Sequence, residues 1–282
     1  MERQKISPTI SNPESRKRHA AYQFVRHRQA RGTIAFTMDE LRKTTGLSPE
    51  AALGQLSRLS GQVVRVGAKS GFYLIVRPDQ ALIGAPPAEW WLHSYFKHLG
   101  RPYYIGLLSA AAEYGSSHQA IQFVQVVTDR PMRAIQVGRI SMRFFVRKDI
   151  EQVAVRLKTG AYARLLLSTA EATALDLVRY SSRIGGMARA AQAIKGMMQQ
   201  LTEEGFALAL NTGVEQPVLQ RLGYILQQFQ GDALVRPIAS KLREGRKRQI
   251  YLEAGPGNIV EERFRESAQW GIIENIDLQQ LS

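Results

Sequence analysis

The spacing of apolar positions changes along the chain, and the first clear change lies between Thr33 and Val76. Thr37-Met38-Asp39-Glu40 places Thr three residues before Glu, a capping-box pattern that predicts a helix from about Met38 to Thr44. A turn follows at Thr45-Gly46-Leu47. Ser48-Pro49-Glu50 then opens a second helix running to about Ser60, with Ser as N-cap, Pro at the first helical position and an acid near the positive end of the dipole. Ala52, Leu53, Leu56 and Leu59 recur at three- and four-residue spacing and predict one inward stripe, which leaves Ala51, Gln55 and Arg58 on the outer face. Beyond Gly61, Val63 to Val66 and Phe72 to Val76 read as strands joined by a hairpin over Gly67-Ala68-Lys69-Ser70-Gly71. Helix, turn, helix and a basic-tipped hairpin predict a winged helix-turn-helix, a shape that sets one helix in a DNA major groove. The other reading of the same pattern is a small helical subdomain that docks a protein.

Around this segment, residues 1–13 hold Pro8 and Pro13 among Ser, Thr and Asn and read as a flexible arm. From Glu14 to Arg31 a helix-compatible stretch carries Arg16, Lys17, Arg18, Arg26, Arg28 and Arg31 between Ala20, Ala21, Tyr22, Phe24 and Val25. It is either a solvated face or a phosphate-contacting helix end. A boundary is expected near Arg77-Pro78-Asp79, and Pro86-Pro87 marks a second break. Trp90, Trp91, Leu92, Tyr95 and Phe96 predict a helix buried on one side, as core or as an interdomain seam rather than a base-stacking platform.

Farther on, small residues at 109 to 112 predict a closely packed helix ended by Gly115. Two β-rich runs follow, Ala120 to Val127 and Arg133 to Val146, the second broken near Gly138. Tyr162 to Leu167 precedes Ser168-Thr169-Ala170-Glu171, a second capping-box candidate, with a helix to about Tyr180. After Gly185-Gly186, stripes over Ala190 to Leu201 and Val218 to Phe229 predict two more helices. The expected fold class is α+β: a flexible arm (1–13), an N-terminal winged helix-turn-helix domain (14–78), and a mixed α/β domain with a helical C-terminal region (79–282).

Composition sharpens the partner. The chain of 282 residues is 44% hydrophobic, ordinary for a globular protein, but 38 Lys and Arg against 24 Asp and Glu give a net charge of +14. Such a balance favours a polyanion, because each neutralised phosphate releases a counterion. Nucleic acid comes first and an anionic membrane second, since no run approaches the ~20 apolar residues that span a bilayer. No apolar signal-peptide core follows Met1, and there is no cysteine, so the expected location is the cytoplasm.

Catalytic patterns fare poorly. Asp149-Ile150-Glu151 has the alternation of a two-metal nucleotidyltransferase site, but Lys148 and Gln152 flank it, and Gly138-Arg139 stands where Gly-Ser belongs. There is no Glu-x-Lys or Asp-x-Lys for a nuclease. His19, His27, His93, His98 and His118 have no zinc-ligand spacing, and Gly185-Gly186 is not followed by Gly-Lys-Ser/Thr. The expectation is a protein without enzymatic activity, metal or cofactor. Lys241, Arg243, Arg246, Lys247 and Arg248 crowd together as a solvated face or a second basic contact surface.

Two stretches carry a resemblance. Tyr103 to Ala112 (YYIGLLSAAA), Gly115, His118-Gln119 and Phe123 to Pro131, and then Thr169 to Tyr180 (TAEATALDLVRY), resemble the AbiEi family, antitoxins and transcriptional regulators of type IV toxin-antitoxin systems. The resemblance spans roughly residues 15 to 230. Tyr114 departs from it, standing where His is expected before the Gly. The resemblance implies a chain that binds inverted repeats in its own promoter, represses its operon, and neutralises a nucleotidyltransferase-like toxin directly or indirectly. It is compatible with a monomer that binds DNA cooperatively. On that reading Ser48, Ala51, Gln55 and Arg58 face the groove, and Lys69 and Ser70 on the wing with Arg16, Lys17 and Arg18 hold the backbone. The alternative is a winged protein-interaction module with non-specific nucleic-acid affinity.

Overall fold

The backbone follows the helix-start signals closely. The computed structural model describes residues 18–116, 123–159, 164–243, 248–255 and 264–278. By contacts these form two units, one of residues 18–99 with 135–141 and the other of the remaining described residues.

The first unit runs α1 (Ala20–Ala30), β1 (Ala35–Thr37), α2 (Met38–Thr45), α3 (Pro49–Arg58), β2 (Val63–Arg65) and β3 (Phe72–Ile75). Thr37 caps α2 as the sequence predicts: its Oγ1 accepts the Glu40 N–H at 3.1 Å, and Glu40 Oε2 accepts the Thr37 N–H at 2.8 Å. Gly46 ends that helix in the left-handed region at φ 68°, its N–H returning to the Arg42 carbonyl at 2.8 Å. Ser48 Oγ then accepts the Ala51 N–H at 3.2 Å and Pro49 opens α3. The strands form an antiparallel sheet in the order β1-β3-β2. β1 escaped the sequence reading because only three residues pair, with just Phe36 buried. Phe36 stacks on Tyr73 at 5.5 Å and meets Phe24 edge-on at 5.2 Å within the core.

The inward stripe of α3 needs one correction. Ala52, Leu56 and Leu59 are buried, whereas Leu53 is 47% exposed: on a 100° step it lies about a quarter turn from the centre of that stripe. Helix α4 (Ala88–Leu99) buries Trp91, Leu92, Tyr95 and Phe96, with Tyr95 edge-on to Phe72 at 5.4 Å, and groups with the first unit. In the same unit Gly138 turns at φ 56° with the Ile83 carbonyl where a Cβ would be, 2.2 Å away, and the Arg139 N–H bonds that carbonyl at 2.8 Å. No larger residue fits that approach.

In the second unit β4 (Tyr103–Ile105) leads into α5 (Leu107–Ala112) and β5 (Val124–Thr128). A hairpin joins β6 (Ile135–Val137), which groups with the first unit, to β7 (Ile140–Val146), and β8 (Val155–Thr159) pairs antiparallel with β9 (Arg164–Ser168). The mixed sheet has the order β6-β7-β5-β4-β9-β8. Helices α6 (Ala170–Arg179), α7 (Ser181–Ile184), α8 (Met187–Gly196), α9 (Glu203–Ala209), α10 (Gln216–Gln228) and α11 (Asp232–Arg243) follow. Thr169 caps α6 alone, accepting the Ala172 N–H at 3.3 Å. Ser168 to Glu171 is therefore no capping box. Glu171 turns away instead and accepts the N–H and hydroxyl of Thr202 at 3.0 and 3.1 Å, fixing the start of α9.

The chain closes with a small sheet of β10 (Ile250–Tyr251), β11 (Arg265–Ser267) and β12 (Ile272–Glu274), ordered β10-β12-β11. It is seated by Trp270, fully buried against α10. A Cβ at Gly223 would fall 2.1 Å from the indole, whose Nε1 donates to Gln227 at 2.6 Å.

Candidate functional site

Helix α3 presents Glu50, Ala51, Leu53, Gly54, Ser57 and Arg58 to solvent. Of the residues expected to face DNA, Ser48, Ala51 and Arg58 lie exposed here, and Lys69 is exposed on the β2–β3 hairpin. The carboxyl of Glu50 is held below its ordinary value by a backbone hydrogen bond and by Ser48, so it is an anion on the same helix.

Two of the expected residues are half-buried and already make hydrogen bonds within the chain. Gln55 is not on the outer face: its Oε1 accepts the Ala21 N–H at 2.9 Å, tying the first turn of α1 to α3. Ser70 is only partly exposed. Its hydroxyl donates to the Val66 carbonyl and accepts the Phe72 N–H at 3.1 Å, closing the hairpin loop. Arg18 is exposed just before α1, while Arg16 and Lys17 lie outside the described residues. Arg28 bridges to Glu40 at 3.4 Å and leans on the Phe24 ring, which makes it structural.

The basic run ahead of β10 is only partly described. Lys241 lies half-buried on α11, Arg243 ends that helix, and Arg246 and Lys247 fall outside the described residues. Arg248 is exposed, with its carbonyl accepting Gln220 Nε2 at 2.6 Å.

The strongest electrostatics are in the second unit, among residues to which the sequence assigned no role. Asp176, wholly buried on α6, accepts the Tyr104 hydroxyl at 2.6 Å on one oxygen, and Arg147 at 3.0 Å and Arg179 at 2.7 Å on the other. Arg147, 4% exposed, also forks onto both oxygens of Asp149 at 2.9 Å, and Arg179 onto Glu215. Burial pushes the Asp176 carboxyl up against the pull of the two guanidiniums. Hydrogen bonds from Arg147 hold Asp149 low. Burial alone would raise Glu215, but Arg179 overcomes it and keeps that carboxyl low as well.

Asp149 and Glu215 are each held by a guanidinium fork, and Asp176 by single N–H groups of two arginines and the Tyr104 hydroxyl. The network is a tie between β4, the end of β7, α6 and the start of α10. Asp149 and Glu151 lie in and beside a turn, not on alternating strand positions. Among the described residues no group of three His, Asp or Glu could hold a metal ion, and no helix is long and apolar enough to cross a membrane. The missed signal was a lone charge inside an apolar run, Asp176 within Ala174 to Val178 and Arg147 after Phe144-Phe145-Val146.

Residues 104–228 match the family model of the AbiEi antitoxin C-terminal domain. This segment is similar to the AbiEi antitoxin domain. Tyr104, Arg147, Asp149, Asp176, Arg179 and Glu215 all fall inside it, so the buried tie lies within the matched segment. The small C-terminal sheet lies beyond the matched segment. No curated protein matches the chain. Among solved structures, the crystal structure of the RV2827C protein from Mycobacterium tuberculosis is similar in fold, with a TM-score of 0.65 at 15% identity. The likeness covers 93% of this chain and 92% of that one, and so extends well beyond the matched segment.

Proposed function

We propose that the chain is the antitoxin of a type IV toxin-antitoxin pair, acting in the cytoplasm, and that it represses its own operon through a winged helix-turn-helix formed by residues 20–75. The observation that carries this reading is the pairing of a segment similar to the AbiEi antitoxin domain with a preceding unit built as helix, strand, helix, helix, strand, strand, whose third helix is exposed along its outer face. In this reading Arg58 and Ser57 are the polar reach of α3 toward base edges, Lys69 holds a phosphate, and Gln55 sets the angle between α1 and α3. The residues through Arg18 would add cations to the backbone contacts. The partners are inverted-repeat promoter DNA and a cognate toxin of the nucleotidyltransferase class, and the protein has no catalytic role.

Titration of a labelled duplex from the chain's own upstream region tests the placement. Arg58→Ala should cost about 1 to 3 kcal/mol on the operator and little on a scrambled duplex. Lys69→Ala should weaken both alike and lower the salt slope by about one. Unchanged binding in both variants would remove α3 and the wing from the interface.

A second reading is favoured by one specific observation. Leu53, Ala51 and Gly54 give the exposed face of α3 an apolar, small-residue character, and Glu50 offsets Arg58. Such a face suits a protein partner. On that reading Leu53→Glu would abolish partner binding and leave DNA affinity without sequence preference.

A further inference from the structure

Strand β8 (Val155–Thr159) ends the sheet, paired only with β9 along its full length. In an antiparallel ladder every second residue turns its N–H and C=O away from the neighbouring strand, so an edge strand carries an unused row of donors and acceptors. Among the described residues, no backbone hydrogen bond outside the β8–β9 ladder involves residues 155–159. Val155 is 40% exposed and Leu157 is 50% exposed, two large apolar side chains at alternate positions and therefore on one face.

Arg156 and Lys158 alternate with them on the other face. Arg156 donates to the Tyr114 hydroxyl at 2.9 Å and lies over its ring, and Lys158 reaches Glu113 at 2.6 Å. Arg164, opposite Thr159 on β9, is also exposed. The strand thus alternates apolar and cationic side chains, with the one acid, Glu113, paired to Lys158.

That alternation selects the occupant. A second copy of β8 pairing antiparallel with Leu157 opposite Val155 or Leu157 of the copy sets Arg156 opposite Arg156 or Lys158 of the copy. Like charges directly opposite destabilise a strand pair. A strand that alternates acidic and apolar residues satisfies both rows at once. We propose that β8 is a docking edge that adds one extended acidic-apolar segment of a partner protein to the sheet. The main-chain row supplies affinity, Val155 and Leu157 supply apolar contact, and Arg156 and Lys158 select charge. This site is separate from the α3 surface and holds whether or not the chain represses its operon.

The test uses the full chain and a fluorescein-labelled peptide of alternating Glu and Val, with three controls: a Lys and Val peptide, a Glu and Val peptide of the same composition in blocks, and the variant Leu208→Glu. Leu208 is 67% exposed on α9 and controls for a charge placed on any exposed apolar residue. The alternating acidic peptide should bind saturably and slow amide exchange within residues 155–159. Leu157→Glu should weaken it at least about tenfold while Leu208→Glu leaves it unchanged. The Lys and Val peptide should not bind. Equal binding of the block peptide, or binding without protection of residues 155–159, would reduce the effect to net charge and overturn the proposal. A concentration-dependent dimer abolished by Leu157→Glu, in place of peptide binding, would also overturn it by naming a second copy as the occupant.

Discussion

Two carboxylates show how differently the two units are held. Glu40 in the first reaches a backbone N–H three residues back and remains largely in solvent. Asp176 in the second is wholly buried, and its partners Tyr104 and Arg147 lie 72 and 29 residues away in sequence. Water can replace Glu40 at its helix start, so that contact adds about the worth of one cap. Nothing can replace Asp176, because the two guanidiniums it neutralises are shut off from solvent. The first unit is therefore assembled from short-range signals that can fail one at a time, and the second is locked by a long-range tie that fails as a whole.

The contrast can be broken most forcefully at Asp176. Asp176→Asn leaves Arg147 and Arg179 short of a buried counter-charge and should cost about 3 to 5 kcal/mol in a denaturant titration. A cost below about 1 kcal/mol would mean that the tie is incidental. Thr37→Ala removes one exposed cap and should cost about 1 kcal/mol, with the second unit's unfolding unchanged.

The smallest effect is the pH dependence. Asp149 and Glu215 have folded values below their ordinary 3.8 and 4.5, so their stabilisation is complete above about pH 4.5 and is lost as pH falls through the folded values. Asp176 works in the opposite direction, since its raised folded value weakens the unit as pH rises through it. Unfolding midpoints measured between pH 3 and pH 7 should therefore fall on the acid side with a shallow slope, and Asp149→Asn should flatten that slope.

The same contrast explains what was legible from sequence. The Thr37 and Ser48 caps, the Gly46 stop and the Gly138 turn each follow from a few adjacent residues, and the chain adopts all four. Leu53 and Gln55 were misplaced because the stripe of α3 was extended one apolar residue too far and the neighbour of α3, the start of α1, was not considered. Glu171 was misread because its spacing from Ser168 suits a local cap while its carboxylate serves Thr202, far along the chain. β8 was missed because its cations break the apolar pattern, and the seating of Trp270 on Gly223 because a close approach between distant residues leaves no local periodicity. The AbiEi resemblance was legible from two short stretches in combination, and Asp176 sits in the second of them.

The repressor reading meets its most direct test in an equilibrium titration of the full chain against its own upstream DNA and a scrambled duplex of equal length, at two salt concentrations. The account predicts binding to the upstream duplex at least about a thousandfold tighter, with selectivity that survives the higher salt. Equal affinities that collapse together as salt rises would contradict it, leaving a basic protein with an AbiEi-like segment whose exposed α3 surface awaits a protein partner.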